Sequence, residues 1–456
     1  MMSKYLVVVI PGIGGSELVD ERGRKVWAMS PGELGRALVE PGRLSLDNRL
    51  TPVGLIGDLA VGPWSLIPGY GRLVRELMGA LRLGPAGQAV ARPGRWDNPH
   101  AHLLCFPYDF RRSISASAEL LAEELRWRLG EGRRVIVVAH SMGGLVAAWW
   151  WAMLGGYEVT ERIFTLGTPF LGAAKAIDTL LYGPRIGLGR NAAAAEVLRG
   201  WESPFELLPK NKAVEDGEAD VRVHDLAVGY DGFRGAAARA YERHRELLDE
   251  VQRLTADPAK RLVWSANYSR GHSTPSRVVL AGGELRVEKS DPRWLAGELA
   301  GLGQGDGTVP MYSAIPPWLH EQRGQWDRRS AKHVGLSYVE EVVTKVRDYA
   351  LPDFPAQTRG DEAHRAEPFI LLDHDDVVPA GEPVRLGIGL DAPERGEAAP
   401  RVSLGARRLE TWRAGDGWVA EVPGLPAGVH TLRVQFDHVP GRDRLRLDTT
   451  IGAIDA

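Results

Sequence analysis

The chain has 456 residues, enough for two or three domains at about 150 residues each, and too many for a small disulfide-stapled scaffold. Its 56 Lys plus Arg against 59 Asp plus Glu leave a net charge of -3, so the basic excess of a nucleic-acid binder is missing and no nucleic-acid partner is expected. A single cysteine, Cys105, excludes an intrachain disulfide and fits a reducing compartment.

The first element is a continuous apolar, β-branched run over residues 5–10, which ends in Pro11-Gly12 as a buried parallel strand does where it enters a tight loop. That run is too short for a signal-peptide core and no small-residue cleavage site follows it, so no export signal is read and a cytoplasmic location is expected. Residues 115–129 keep helical spacing through Ala118, Leu121, Ala122, Leu125 and Leu129, and residues 135–138 form a second buried strand. Ser141 and Gly143-Gly144 then open a helical run through Leu145, Ala148 and Met153, before strand character returns at 163–166. The apolar stretch 143–156 falls short of the roughly 18 residues a membrane span needs. Alternating strand and helix predicts an α/β sheet.

From about 173 to 260 the pattern turns Ala- and Arg-rich and helical, as expected of a cap inserted into the sheet domain. Strand character resumes at 278–280, Gly305-Asp306-Gly307 breaks it, and 337–349 predicts a closing helix. The α/β domain is thus placed at 1–350, a Pro-containing polar linker at 351–367 and a second domain at 368–456. In that last segment the period changes to two, as in Val384, Leu386, Ile388 and Leu390, and Trp412 and Trp418 flank a hairpin turn at 414–417. Several short strands in about 90 residues predict an immunoglobulin-like β-sandwich.

The chemistry concentrates at Ala139-His140-Ser141-Met142-Gly143. A serine is a weak nucleophile until a base takes its proton, and a strand-to-helix elbow lifts the hydroxyl clear of the sheet. Ala28-Met29-Ser30-Pro31-Gly32 matches the same pattern, but it lacks a preceding apolar strand and has proline after the serine. The strand and helix on either side favour Ser141. The chain order serine, acid, histidine is met by Asp306 and then His333, with His320 and His272 as competing histidines; Asp306 also suits an Asx turn. Pro11-Gly12-Ile13-Gly14-Gly15 offers unobstructed backbone N–H groups at the end of the first strand, and Ile13 with Met142 are the expected oxyanion donors. A dinucleotide site is excluded because Glu17 stands where the third glycine of the fingerprint belongs.

These residues, read with further motifs in order, resemble the lecithin:cholesterol acyltransferase-like α/β-hydrolases, which include the lysosomal phospholipase A2. The motifs are Pro11 to Ser16, Pro107-Tyr108-Asp109-Phe110-Arg111-Arg112, the elbow, Gly167-Thr168-Pro169 with Gly172-Ala173-Ala174-Lys175, Glu206-Leu207-Leu208-Pro209, and Gly305 to Pro310. The resemblance covers roughly 5–350 and stops before the sandwich. It implies an α/β-hydrolase fold with a cap or lid, Ser141 as nucleophile, Asp306 as acid and His333 as base. It also implies Ile13 and Met142 as oxyanion donors, acyl-ester chemistry on a lipid or phospholipid substrate, and neither metal nor organic cofactor. Extracellular members are secreted and lock loops with disulfides, which one cysteine cannot do.

The family places a lid near Leu180, Leu181, Tyr182, Ile186 and Leu188, where ordinary cap packing is the competing expectation. Asp109 with Arg111 and Arg112 is expected to form a structural ion pair, and of Trp149, Trp150 and Trp151 at least one should face a second layer. Trp27 and Trp64 bracket an insertion with Leu55, Ile56 and Leu59 that suggests peripheral membrane contact. Two alternatives to simple hydrolysis stand beside it: acyl transfer to an alcohol, and a phospholipase effector or binding protein recruited by a partner through the sandwich.

Overall fold

The computed structural model describes residues 4–454 apart from 29–35, 37–38, 62–63, 68, 93–97, 131, 187–188, 227–228, 330, 352–368, 375–376, 392–398, 416 and 440–441. The expected linker therefore lies outside the described residues except for Leu351, as do Ser30 and Leu188.

Seven strands form the central sheet: β1 (Tyr5–Ile10), β2 (Gln88–Val90), β3 (Leu103–Cys105), β4 (Arg134–His140), β5 (Thr160–Leu166), β6 (Trp264–Ser269) and β7 (Trp326–Arg329). Their order is β7-β6-β5-β4-β1-β3-β2, and every neighbouring pair is parallel. An all-parallel sheet must be covered on both faces, and β1 shows how the sequence meets that demand. Leu6, Val8 and Ile10 share one core with the helices α2 (Ile114–Leu129), α3 (Met142–Met153) and α4 (Phe233–Thr255). Val7 and Val9 share the opposite core with α1 (Gly71–Ala80) and α5 (Glu340–Ala350). A run of apolar residues without alternation is what a strand between two helical layers requires.

The tryptophan triplet of α3 belongs to this packing. Trp150 and Trp151 are buried, Trp151 sits edge-on to Trp264 with ring centroids 5.2 Å apart, and Trp149 is half-buried against the same core. The Asp109–Arg111 pair is structural as expected. Arg111 is fully buried, donates to both Asp109 carboxylate oxygens at 2.8 Å, and reaches the carbonyls of Ser45 and Asn48.

The inserted segment differs from the all-helical cap that the sequence suggests. Its helices Ala174–Tyr182 and Ala192–Arg199 stand beside a small sheet of Val214–Asp216, Ala219–Val221, Arg277–Ala281 and Glu284–Glu288. The strand at 277–281 thus serves this side sheet, and the strand that continues the central sheet is β6. The long helix α4, predicted as part of the cap, packs Leu247, Val251 and Leu254 into the main core.

The C-terminal segment forms two facing sheets around one core. One contains β8 (Phe369–Asp373), β10 (Val384–Asp391), β13 (Thr411–Ala414) and β14 (Gly417–Val422). The other contains β9 (Val377–Pro379), β11 (Arg401–Leu404), β12 (Arg407–Leu409), β15 (Gly428–Val439) and β16 (Arg442–Ile454). Leu386, Ile388 and Val422 of the first share a buried core with Val402, Leu432, Val434 and Phe436 of the second. The predicted hairpin is present, with Ala414 opposite Gly417 and Arg413 opposite Trp418.

Candidate active site

Strand β4 ends at His140 and α3 begins at Met142, so Ser141 alone makes the turn. Its φ of 54° and ψ of -128° are a conformation that side chains other than glycine rarely adopt, and its N–H donates to the Leu166 carbonyl at 2.8 Å. The turn is possible because its neighbours lack side chains. A Cβ on Gly143 would lie 2.4 Å from the Pro11 carbonyl oxygen, and one on Gly12 would lie 2.8 Å from Ser141 Cβ. Backbone crowding explains Gly143, whereas Gly12 is required by the close approach of the Ser141 and His140 side chains.

The structure brings together residues that are 165 and 192 positions from Ser141 along the chain. His333 Nε2 lies 2.8 Å from Ser141 Oγ, and His333 Nδ1 lies 2.7 Å from Asp306 Oδ2. The other Asp306 oxygen accepts the N–H groups of Thr308 at 2.9 Å and Val309 at 2.7 Å. Burial pushes the Asp306 carboxyl up, but the His333 charge and the hydrogen bonds from His333, Val309 and Thr308 outweigh it and hold the group below its usual range. In the tautomer with its proton on the Nδ1 that faces the carboxylate, the imidazole presents an unprotonated Nε2 to the serine. The Asx turn and the contact to His333 are one arrangement, since the same carboxylate closes its loop and faces the imidazole.

The competing histidines are elsewhere. His320 is exposed, with Nε2 donating to the Ile315 carbonyl at 3.3 Å. His272 is buried and pairs through its backbone with Gly305 and Asp306, supporting the acid loop from behind. Ile13 and Met142 lie at the end of β1 and the start of α3, and among the described residues neither N–H has a hydrogen-bond acceptor. Ile13 is 38% exposed.

Sequence reasoning misses a cross-brace behind these groups. The Gly12 N–H donates to the Tyr70 hydroxyl at 2.8 Å, and the hydroxyl donates to His140 Nδ1 at 2.7 Å. His140 Nε2 donates in turn to the His333 carbonyl at 2.9 Å. Burial, with the nearby His333 charge, pushes the His140 imidazole down to about 3, so it stays neutral and keeps this donor–acceptor sense. Tyr108 adds a bond from its hydroxyl to the Pro11 carbonyl at 2.9 Å. His140 could have been noticed within the elbow, but nothing local marks Tyr70.

The lid candidates are placed unevenly. Leu180 is buried in the cap's own core with Phe205, Val214 and Phe233, which favours ordinary packing for it. Leu181 is half-buried against that core, and the Tyr182 hydroxyl donates to the Leu285 carbonyl at 2.7 Å. Ile186 lies in a two-residue hairpin strand paired with Gly189–Arg190, and Leu188 is outside the described residues. At the insertion after β1, Trp27 donates from its indole to the Gly14 carbonyl at 2.7 Å and Ile56 is buried, so these two residues secure the glycine loop and are not part of an exposed apolar patch.

Glu206 of the Glu-Leu-Leu-Pro motif is buried and accepts the Ile114 N–H at 2.6 Å and Arg243 Nε at 3.0 Å, tying the start of α2 to α4. A cavity of about 350 Å³ lies beside α4, with Leu171, Lys210, His244 and Trp318 in its walls and none of the predicted site residues. Among the described residues no group of three or more His, Cys, Asp or Glu could hold a metal ion, and no helix is long and apolar enough to cross a membrane.

The family match concerns the segment that carries the elbow. The sequence profile of the family described as Lecithin:cholesterol acyltransferase matches residues 97–268. Two crystal structures of a Bacillus licheniformis lipase, BlEst2, align with the chain. The mature form is 13% identical over 75% of this chain and 89% of that one, with a TM-score of 0.33. The propeptide form is 11% identical over 98% of this chain and 92% of that one, with a TM-score of 0.32. No curated protein matches the chain. The resemblance first seen in the motifs therefore holds over 97–268, where the chain is similar to the lecithin:cholesterol acyltransferase family.

Proposed function

We propose that the protein is a serine hydrolase that cleaves acyl esters, with a lipid or phospholipid as its substrate class. The observation that carries this reading is the single imidazole of His333, 2.8 Å from Ser141 Oγ on one side and 2.7 Å from Asp306 on the other. In the proposed reaction Ser141 Oγ attacks the ester carbonyl while its proton passes to His333 Nε2, and Asp306 stabilises the imidazolium that results. The N–H groups of Ile13 and Met142 receive the developing oxyanion, each worth about 3 kcal/mol of transition-state stabilisation. His333 then returns the proton to the leaving alcohol, and water, activated by the same imidazole, releases the acid from Ser141. No step calls on a metal or an organic cofactor.

The lipid class rests on the family match alone, so the choice of acyl chain and head group is part of the test. The domain layout belongs to the same proposal: a hydrolase domain over 1–350, with its cap lengthened to include the side sheet, and a sandwich over 368–456. The strand orders β8-β10-β14-β13 and β9-β16-β15-β11-β12 support an immunoglobulin-like arrangement of that sandwich.

The test is a series of nitrophenyl esters of increasing acyl length, run with a fluorophosphonate label on the wild type and on Ser141→Ala. The expected result is labelling and turnover that both vanish in Ser141→Ala, with turnover rising along the series. Labelling at a different serine would overturn the assignment, and a short-chain preference would replace the lipid class with a soluble ester.

A further inference from the structure

The first strand of the sandwich, β8, does not stand clear of the α/β domain. Its end lies against the loop that carries His333 and against the segment at Gly271 that supports the loop of Asp306. Lys332, the residue before His333, donates from Nζ to the His374 carbonyl at 2.9 Å and lies 3.3 Å from His374 Nε2. His374 follows β8 directly and is only 8% exposed. On the acid side, Gly271 approaches Leu371 of β8 so closely that a Cβ on the glycine would meet Leu371 Cδ2 at 2.2 Å. The next residue, His272, bridges to Gly305 and Asp306 through its backbone, and Thr274 accepts the Gly307 N–H at 2.9 Å. One strand of the C-terminal domain thus touches the support of both the base and the acid.

The loops need such support. His333 opens a 3-10 turn of five residues, His333–Ser337, whose start has no side-chain cap. Its backbone is held by the His333 N–H donating to the Asp306 carbonyl at 2.8 Å, so a shift of the acid loop also moves the base. Bonds from a charged amine to a carbonyl are among the stronger hydrogen bonds. A displacement of about 1 Å at a reacting group can cost on the order of a hundredfold in rate.

We infer that β8 is a strap that positions His333 and Asp306, with Lys332 and Leu371 as positioning residues, so that the sandwich is part of the catalytic unit. The inference rests on the roles proposed above for Ser141, His333 and Asp306. It predicts that weakening the strap slows chemistry without weakening substrate binding.

The experiment uses the full-length chain and the variants Lys332→Met, Lys332→Arg, Leu371→Ala and Lys289→Met. The last removes an exposed ion pair to Asp373, at 3.2 Å, that touches neither catalytic loop. Fluorophosphonate labelling of Ser141, kcat and KM on one nitrophenyl ester, and amide hydrogen exchange over 333–338 and 369–374 are measured on each. Lys332→Met and Leu371→Ala are expected to lower kcat and the labelling rate roughly tenfold at nearly constant KM, with faster exchange at 333–338 and no change in melting temperature. Lys332→Arg should recover most of the loss, because it keeps a donor to the His374 carbonyl, and Lys289→Met should behave as wild type. If Lys332→Met and Leu371→Ala speed exchange at 369–374 yet label and turn over at the wild-type rate, the strap has no catalytic role. If the wild type itself does not label at Ser141, the hydrolase reading fails first and takes the strap's purpose with it.

Discussion

The elbow and the cap are held by different forces. Around Ser141 the contacts that matter are close approaches of the backbone: Gly143 against the Pro11 carbonyl, Gly12 against the Ser141 side chain, and the Ser141 N–H on Leu166. In the cap they are side chains in an apolar core, Leu180 with Phe205, Val214 and Phe233, and ion pairs such as Arg277 with Glu215 at 2.7 Å. Backbone crowding tolerates no substitution, whereas a packed side-chain core loses stability in proportion to what is removed. The first should therefore fail in function, the second in stability.

The sharpest attempt to break that contrast is Gly143→Ala. A Cβ 2.4 Å from a carbonyl oxygen should force Met142 and Ile13, the proposed oxyanion donors, apart, and loss of one such donor costs a factor of roughly 10² to 10³ in kcat. Steady-state kinetics on a nitrophenyl ester should show that loss in a protein that still melts cooperatively. Leu180→Ala should do the reverse, losing about 2–5 kcal/mol in urea unfolding while the folded enzyme keeps its turnover. A large fall in kcat from Leu180→Ala would instead revive a lid role for it. Tyr70→Phe tests the cross-brace and lies between the two. It removes the acceptor for the Gly12 N–H and the donor to His140, and a net loss of about 1 kcal/mol per bond predicts a five- to thirtyfold fall in labelling rate.

A further contrast is in pH. His140 titrates near 3 when folded and near 6.5 when unfolded, so between those values the unfolded chain binds more protons. Its contribution to stability is complete above pH 6.5 and is lost as pH falls toward 3. His140→Gln should flatten that acid limb in chemical denaturation measured from pH 7 to pH 4. An unchanged slope would show that His140 does not stay neutral in the fold.

The same contrast explains what the sequence makes legible. β1, β4 and the elbow stand out because a strand between two helical layers is apolar at every position and a crowded turn needs glycine, and both leave local signals. The helices α2, α3 and α5 follow from their spacing. His333 cannot be singled out from His272 and His320, because its partnership spans 192 positions and depends on how two loops meet. The side sheet escapes notice because Val214–Asp216 and Ala219–Val221 are three residues each, too short to show a period. α4 looks like cap by composition, yet its buried stripe of Leu247, Val251 and Leu254 faces the main core, a choice only tertiary packing makes. Tyr70 and Lys332 have no motif at all, since their importance comes from the atoms they reach.

Ser141 is the one residue of the elbow whose backbone angles would suit glycine better than the side chain it carries. A chain under no demand for chemistry would gain by drifting to glycine there, so Ser141→Gly should melt at a higher temperature than the wild type while losing all labelling. On the proposed role of Ser141 as nucleophile, the serine is a cost in stability that catalysis offsets.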